Sequence, residues 1–172
     1  MKKIKAIWAI LILMLTCSAF AQSNEDKEAA AAEHILCYAV ANGDEPKFLS
    51  IMLYHPPTDL NYSCNEEEHT PLQYATAGGF SFMVETLVKA GASIDPLSLI
   101  LAINKDYLDI AEFFVSENVN LCIPFPNSKL GQPASRYAQS EEMKTLLKNA
   151  EKQADLKTDS VGVCEVRQTD TH

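Results

Sequence analysis

The sequence predicts an all-α solenoid of about four stacked helix–turn–helix units. A unit of two short helices joined by a turn recurs along the chain, which is typical of repeat proteins. Each helix has only a narrow apolar face, and such a face is buried by stacking against a neighbouring unit. The composition is that of a globular chain, with 47% hydrophobic and 22% charged residues among 172. These observations favour one small repeat domain.

The clearest unit covers residues 70–95. Thr70 can cap its first helix, and Pro71 suits the first helical position because no amide donor is needed there. A glycine pair ends this helix, and Gly91 supplies the left-handed residue that closes the second one. The second helix repeats apolar residues at helical spacing, at Met83, Val84, Leu87 and Val88. Neither helix could bury its apolar face alone, so the unit needs neighbours.

This unit resembles the ankyrin repeat, whose signature is T-P-L-H-x-A, a glycine turn, a second helix and a G-A-x-hydrophobic-N/D ending. The matching segments are Thr70-Pro71-Leu72-Gln73-Tyr74-Ala75 and Gly91-Ala92-Ser93-Ile94-Asp95, with Gln73 in place of the usual His. The pattern fits more weakly 36 residues upstream, at Tyr38-Ala39, and 27 residues downstream, at Leu101-Ala102. The resemblance implies an ankyrin-repeat domain over residues 22–150 with short β-hairpin fingers.

Two units depart from the ankyrin pattern. Too few residues lie between Asp95 and Leu97 to build the finger that a full third repeat carries. A last, degraded unit runs from Gln132 to Leu147 and lacks the glycine turn, as expected of a terminal repeat whose outer face meets water. The acidic, alanine-rich residues 26–32 predict a solvated capping helix at the other end.

The first 21 residues predict an export signal rather than a part of the fold. Its parts are a positive start at Lys2, Lys3 and Lys5, the apolar run Ala6 to Leu15, and the small-residue site Ala19-Phe20-Ala21. The apolar run is shorter than the roughly 20 residues that span a bilayer, so a membrane anchor is the weaker alternative. Lipidation at Cys17 is another alternative, although Thr16 fits that motif poorly. We therefore expect a soluble periplasmic product that does not span the membrane.

The chain is acidic, with 23 Asp and Glu against 14 Lys and Arg and a formal net charge of −9. Removal of the signal takes away three lysines and no acids, which leaves 11 basic groups and a charge of −12. Nucleic-acid binding draws most of its affinity from Lys and Arg that displace counterions, so the charge argues against it. A negative charge speeds encounter with a basic partner instead, and salt weakens the effect.

Four cysteines remain after the signal, namely Cys37, Cys64, Cys122 and Cys164. An even number in an exported chain favours disulfides; four cysteines permit three pairings, and four free thiols are the other alternative. A bond between the last two would pin the polar tail, residues 151–172, across the end of the stack. In that pairing the other bond, between Cys37 and Cys64, would tie a first-repeat helix to the loop before Thr70. Within the tail, residues 161–166 alternate like a short strand.

No motif in the sequence indicates catalysis. A glycine-rich phosphate loop, a G-x-S-x-G elbow and an H-E-x-x-H helix are all absent from it. His34 and Cys37 lie three residues apart on a predicted helix, but a metal site needs three or four ligands. We therefore expect no enzymatic activity, no cofactor and no bound metal.

The ankyrin resemblance implies binding to another protein through the finger tips and the concave face of the first helices. Position by position, it assigns as contact residues Tyr62, Asn65, Glu66, Glu67, Glu68 and His69 in the long finger, Gln73, Thr76 and Ala77 on the following helix, and Lys105, Asp106 and Tyr107 in the next turn. The three adjacent glutamates suit a partner with a basic surface.

The chain is similar, less specifically, to exported bacterial ankyrin proteins that look like immunity partners of antibacterial toxins, among them phospholipase effectors of the type VI secretion system. This resemblance, together with export, acidity and the lack of a catalytic motif, predicts an immunity protein that binds a secreted effector and covers its active site. The alternative is an envelope adaptor that supports a stress response or a periplasmic enzyme such as a catalase.

Overall fold

The computed structural model describes residues 31–66, 68–125, 130–158 and 162–165. Its helices are α1, helical over residues 31–42, α2 (Glu45–Tyr54), α3 (Pro71–Gly78), α4 (Ser81–Lys89), α5 (Pro96–Asn104), α6 (Leu108–Ser116) and α7 (Glu141–Gln153). The predicted export signal and most of the predicted capping helix lie outside these ranges. Across the ranges, no helix combines the length and the apolarity that crossing a bilayer requires.

The first six helices form three successive helix–turn–helix units, α1 with α2, α3 with α4 and α5 with α6. α3 packs against both α4 and α5, and α4 also contacts α6. First helices therefore stack on first helices, and second helices on second helices. One apolar core runs through the units, and Phe48 and Phe114 are its largest fully buried side chains. This arrangement confirms the predicted all-α repeat solenoid.

Side chains at the helix starts bind amides that have no partner within the helix. Thr70 Oγ1 accepts a hydrogen bond from Gln73 N at 3.3 Å, and Gln73 Oε1 accepts one from Thr70 N at 3.0 Å, which forms a capping box. Asp95 caps α5 through two backbone amides, and Ser140 caps α7 through one. Proline lies in the first turn of α2, α3 and α5. These local interactions fix the helix starts, and the start of α3 is the one that the sequence predicts.

The turns of successive units stack on one another. Gly43 and Gly79 have left-handed φ angles of 66° and 72°, and Asp106 has φ 59° at the matching place in the third unit. The rings of Phe80 and Tyr107 cover the turns of the preceding units. A Cβ at Gly43 or Gly79 would meet these rings at 2.6 and 2.8 Å. Both the backbone conformation and the packing therefore favour glycine here.

A small antiparallel sheet follows the third unit. β1 (Cys122–Pro124) pairs with β2 (Leu130–Pro133), and β2 pairs with β3 (Cys164–Glu165), a strand from the tail. A disulfide between Cys122 and Cys164 joins the two outer strands. Of the pairings that the sequence left open, this is the one that ties the tail to the stack.

The last unit differs from the fourth helix pair that the sequence predicts. Its first helix is reduced to one 3₁₀ turn, Ala134–Arg136, because too few residues separate β2 from the cap of α7 for a helix and a turn. α7 extends past the predicted domain end at residue 150 to Gln153. The Glu151 carboxylate accepts hydrogen bonds from Ser135 N and Oγ, both at 2.8 Å, which holds the 3₁₀ turn on α7. The stack therefore has three full helix pairs and a shorter cap.

Gly131 lies where the backbones of β1 and β2 approach closely. A Cβ there would clash with the Ile123 carbonyl group and lie 3.0 Å from Pro124 Cα. Because backbone atoms cannot move aside as a flexible side chain can, we expect Gly131→Ala to lower the free energy of unfolding by about 1–3 kcal/mol. Urea unfolding measures this value, and a change below about 0.5 kcal/mol would contradict the close approach.

Candidate functional site

Residues 62–69 form the finger that precedes α3. Two backbone hydrogen bonds close it, from Cys64 N to His69 O at 2.7 Å and from Glu68 N to Asn65 O at 3.1 Å. Glu68 has a φ of 61°, a left-handed conformation that few residues other than glycine adopt. Asn65 and Glu68 are therefore close together at the tip of the finger.

Asn65 attaches the finger to α3. Its side-chain oxygen accepts a hydrogen bond from His69 N at 3.0 Å, and its side-chain nitrogen donates one to the Tyr74 hydroxyl at 3.0 Å. The His69 ring meets the Tyr74 ring edge-on, with centroids 5.9 Å apart. Ser63 Oγ donates to Asn65 O at 2.7 Å. Asn65 and His69, which the sequence assigned to partner contact, thus also support the finger from within.

Two further contacts attach the finger to α1. A disulfide joins Cys64 to Cys37. The Tyr62 hydroxyl donates to Glu33 O at 2.9 Å. Burial raises the pKa of the Tyr62 phenol well above its ordinary value, and the negative charge of Glu33 raises it further, so the phenol stays protonated as a donor. Tyr62 is therefore a half-buried anchor rather than an open contact residue.

The finger presents carboxylates at its tip. Glu66 and Glu68 are both exposed. Glu67, the third predicted contact of this run, lies outside the described residues. Because a disulfide and hydrogen bonds already hold the described finger residues in place, a partner that binds Glu66 and Glu68 would lose little conformational entropy by ordering them.

A hollow of 200 Å³ lies beside the finger. Its lining residues are His34, Cys37, Tyr38, Ala41, Cys64 and Tyr74. Tyr38 and Tyr74 are not among the contact residues predicted from the sequence, although the Tyr-Ala pair recurs at a 36-residue spacing and so predicts adjacent places on stacked helices. The spacing of His34 and Cys37 suggests metal ligation at most, and the Cys37 sulfur is in the disulfide. The described ranges bring no three His, Cys, Asp or Glu side chains together as a metal site.

The family model for ankyrin repeats, in three copies, matches residues 36–125. The chain belongs to the ankyrin-repeat family. A chain from the solved complex of the Bd0816 predatory endopeptidase of Bdellovibrio bacteriovorus with the immunity protein Bd3460 has a similar fold, with a TM-score of 0.55 and 22% sequence identity. The similarity covers 74% of this chain and 69% of that one. No curated protein matches the chain.

Gln73 occupies the histidine position of the ankyrin signature. Its side-chain nitrogen donates to Asp95 Oδ2 at 3.0 Å while its oxygen accepts from Thr70 N, so it links the starts of α3 and α5. Gln73 is only 8% exposed. Thr76 is fully buried, and its hydroxyl donates to Leu72 O at 2.8 Å. Burial therefore removes both residues from the surface on which the sequence placed them: Gln73 joins one ankyrin unit to the next, and Thr76 bonds within α3.

Replacing Gln73 by Glu should destabilise the stack. A carboxylate cannot donate to Asp95 and would repel it, so we expect Gln73→Glu to lower the free energy of unfolding at neutral pH by about 1–3 kcal/mol. Urea unfolding measures the loss. The matched control is Gln73→His, which restores the residue usual in the family and keeps a donor. Equal stability of Gln73→Glu and the wild type would contradict the proposed link.

The turn after α5 contains the last predicted contacts. The Tyr107 ring packs on Gly79, and Asp106 Oδ1 accepts from Ser140 Oγ at 2.5 Å, so both take part in stacking. Lys105 is exposed. This turn lies at the carboxyl ends of the first helices, whereas the finger lies at their amino ends, about 12 Å away for an eight-residue helix. Half-buried Ala77 is also near the carboxyl end. The predicted contacts therefore do not form a single cluster.

Proposed function

We propose that this ankyrin protein is an immunity protein, which binds a secreted antibacterial effector and neutralises it. The observation that carries the proposal is the ordered acidic finger. Glu66 and Glu68 are exposed on a loop that a disulfide and the Asn65 hydrogen bonds hold in place. A loop that is ordered before binding loses little conformational entropy in the complex, which suits tight recognition of a protein surface.

The structural comparison supports the same class of function. The similar chain comes from a complex of a predatory endopeptidase with an immunity protein. At 22% identity the similarity establishes the fold alone, so the partner class is carried over here as a proposal. An ankyrin scaffold with a rigid finger suits binding, and we propose that the chain is not itself an enzyme.

The proposed effector is a phospholipase with a basic surface, delivered by a type VI secretion system and met in the periplasm. The formal charge of −9 favours encounter with a basic partner. Export by residues 1–21 would bring the chain to the periplasm, and its two disulfides suit that oxidising compartment. Binding would cover the active site of the effector.

Affinity capture from the envelope fraction tests the proposal. The bait is the full chain in the form that cells produce, and Glu66→Lys with Glu68→Lys is the matched control bait. Mass spectrometry identifies the captured proteins, and each is then expressed in the periplasm of a sensitive strain with or without the chain. We expect the wild-type bait to recover more of one toxic secreted protein than the control bait does. Co-expression of the chain should abolish the toxicity of that protein.

Competition between strains supplies an independent readout. A deletion strain should lose viability beside toxin-bearing siblings, and the damaged component should identify the effector: lipid loss for a phospholipase, cell-wall loss for an endopeptidase. Unchanged survival, together with capture of a harmless resident enzyme such as a catalase, would contradict the immunity function and favour the envelope adaptor.

A further inference from the structure

We infer that the hollow beside the finger receives one arginine side chain of the partner protein. This inference rests on the proposed function, because it names the chemistry that the finger surface recognises. Three features carry it: two tyrosine rings, the acidic residues of the adjoining finger and the size of the hollow.

Tyr38 and Tyr74 supply aromatic walls. Tyr38 is 55% exposed, and Lys47 Nζ lies 4.9 Å from its ring centroid, a distance at which a ring face attracts a cation. That lysine is also paired with Asp44 at 3.3 Å. Tyr74 is held by the hydrogen bond from Asn65, so its ring is oriented before a partner arrives. Tyrosine rings of this kind bind guanidinium groups by stacking and by cation–π attraction.

The finger that borders the hollow carries two exposed acidic residues. Cys64 lines the hollow, and Glu66 follows it by two residues. Glu68 lies at the same finger tip, since its amide bonds to Asn65 O. The described residues that line the hollow include no lysine and no arginine. Lys47, which lies over the Tyr38 ring, is already paired with Asp44, so the exposed acidic residues of the finger favour a further positively charged group at the hollow.

The volume favours a single side chain. At 200 Å³ the hollow is smaller than the roughly 300–1,000 Å³ of sites that hold small-molecule ligands. Arginine suits it better than lysine because a planar guanidinium can stack on a tyrosine while its remaining N–H groups donate to carboxylates. A compact ammonium group cannot stack in this way.

Peptide titration followed by NMR tests the inference. The probe is the blocked peptide Gly-Arg-Gly, added to the isotope-labelled full chain in the form that cells produce. Matched peptides carry citrulline, which has nearly the same shape without the charge, or lysine. We expect saturable shifts at residues 34–41 and at Tyr74 with the arginine peptide, binding about tenfold weaker with citrulline, and an intermediate affinity with lysine.

Two variants of Tyr38 separate the ring from its hydroxyl. Tyr38→Leu should lower the affinity for the arginine peptide about three- to tenfold. Tyr38→Phe, which keeps the ring, should bind the peptide with an affinity within about twofold of the wild type. Thermal unfolding checks that both variants fold, as expected for an exposed position. Equal affinity for the arginine and citrulline peptides, no saturable shift up to the solubility limit, or unchanged binding by Tyr38→Leu would overturn the inference.

Failure of this inference and failure of the proposed function give different results. If Tyr38→Leu captures and silences the effector as well as the wild type does, the hollow receives no arginine of the effector and the immunity function stands. If the arginine peptide binds as expected but no toxic protein is captured, the hollow is a binding site and the immunity function is wrong.

Discussion

Reversing the two exposed finger charges, Glu66→Lys with Glu68→Lys, should slow association with the partner about tenfold at low salt. Carboxylates at the finger tip attract a basic surface, and lysines at the same places repel it. The difference from the wild type should shrink as salt rises, because ions screen charges exposed to water. Stopped-flow or surface-binding kinetics against the captured effector, at several salt concentrations, measure the effect.

The matched control reverses two exposed carboxylates of the third unit, Glu112 in α6 and Glu117 just after it. Glu112→Lys with Glu117→Lys changes the net charge by the same amount but leaves the finger intact. We expect this control to slow association much less than the finger variant. Equal slowing by both variants would mean that the total charge, rather than the finger, steers the partner.

Removing the finger disulfide, with Cys37→Ser and Cys64→Ser together, should lower the free energy of unfolding by about 2–4 kcal/mol. The bond closes a chain segment of 27 residues, so its loss frees the unfolded chain and also frees the finger from α1. Urea unfolding measures the stability. Hydrogen exchange at the amides of residues 64 and 69 reports on the finger, and we expect faster exchange at both in a variant that is still folded.

The second disulfide is the natural control for this experiment. Cys122→Ser with Cys164→Ser breaks a bond that spans 42 residues at the other end of the stack, so we expect a similar loss of stability. The hydrogen-exchange rates of the finger amides and the affinity for the effector should stay near their wild-type values in this variant. A finger that exchanges equally fast in both double variants would show that the Cys37–Cys64 bond does not order it.

The three helix pairs can be predicted from the sequence because the signals that start and stop each helix are local. Thr70 and Pro71 start α3, and the left-handed residue at Gly79 ends it. The 27-residue spacing also predicts that the third unit has no finger, and residues 90–95 are indeed all that joins α4 to α5. Each of these features depends on residues a few places apart, which a single sequence displays.

The fourth pair could not be predicted in the same way. The apolar residues of a helix are present around Tyr137, but β2 occupies the chain up to Pro133 and leaves room for only one 3₁₀ turn before Ser140. That strand exists because β1 and β3 pair with it on either side, and β3 comes from more than thirty residues further along the chain. Its partners are not visible in the local pattern.

The role of Gln73 shows the same limit within a well-predicted helix. Its place in the ankyrin signature is evident in the sequence, yet a polar side chain on a first helix can face a partner or the next unit. The answer depends on Asp95, 22 residues away, which lies within hydrogen-bonding distance only after α3 and α5 stack. A repeat signature thus predicts the helix but does not say which of its polar residues are buried between units.

The sequence by itself determined the family, the order of the units, the acidic charge and the run of glutamates at the finger. Each of these depends only on composition, on adjacent residues or on a fixed spacing. Only the tertiary structure decided which cysteines pair, which finger residues are anchors and which side chains line the hollow. Tyr38 and Tyr74 lie 36 residues apart in the chain and share one hollow because α1 and α3 occupy equivalent places in stacked units. Stacking brings equivalent positions of successive repeats together, and this proximity is a property of the folded stack.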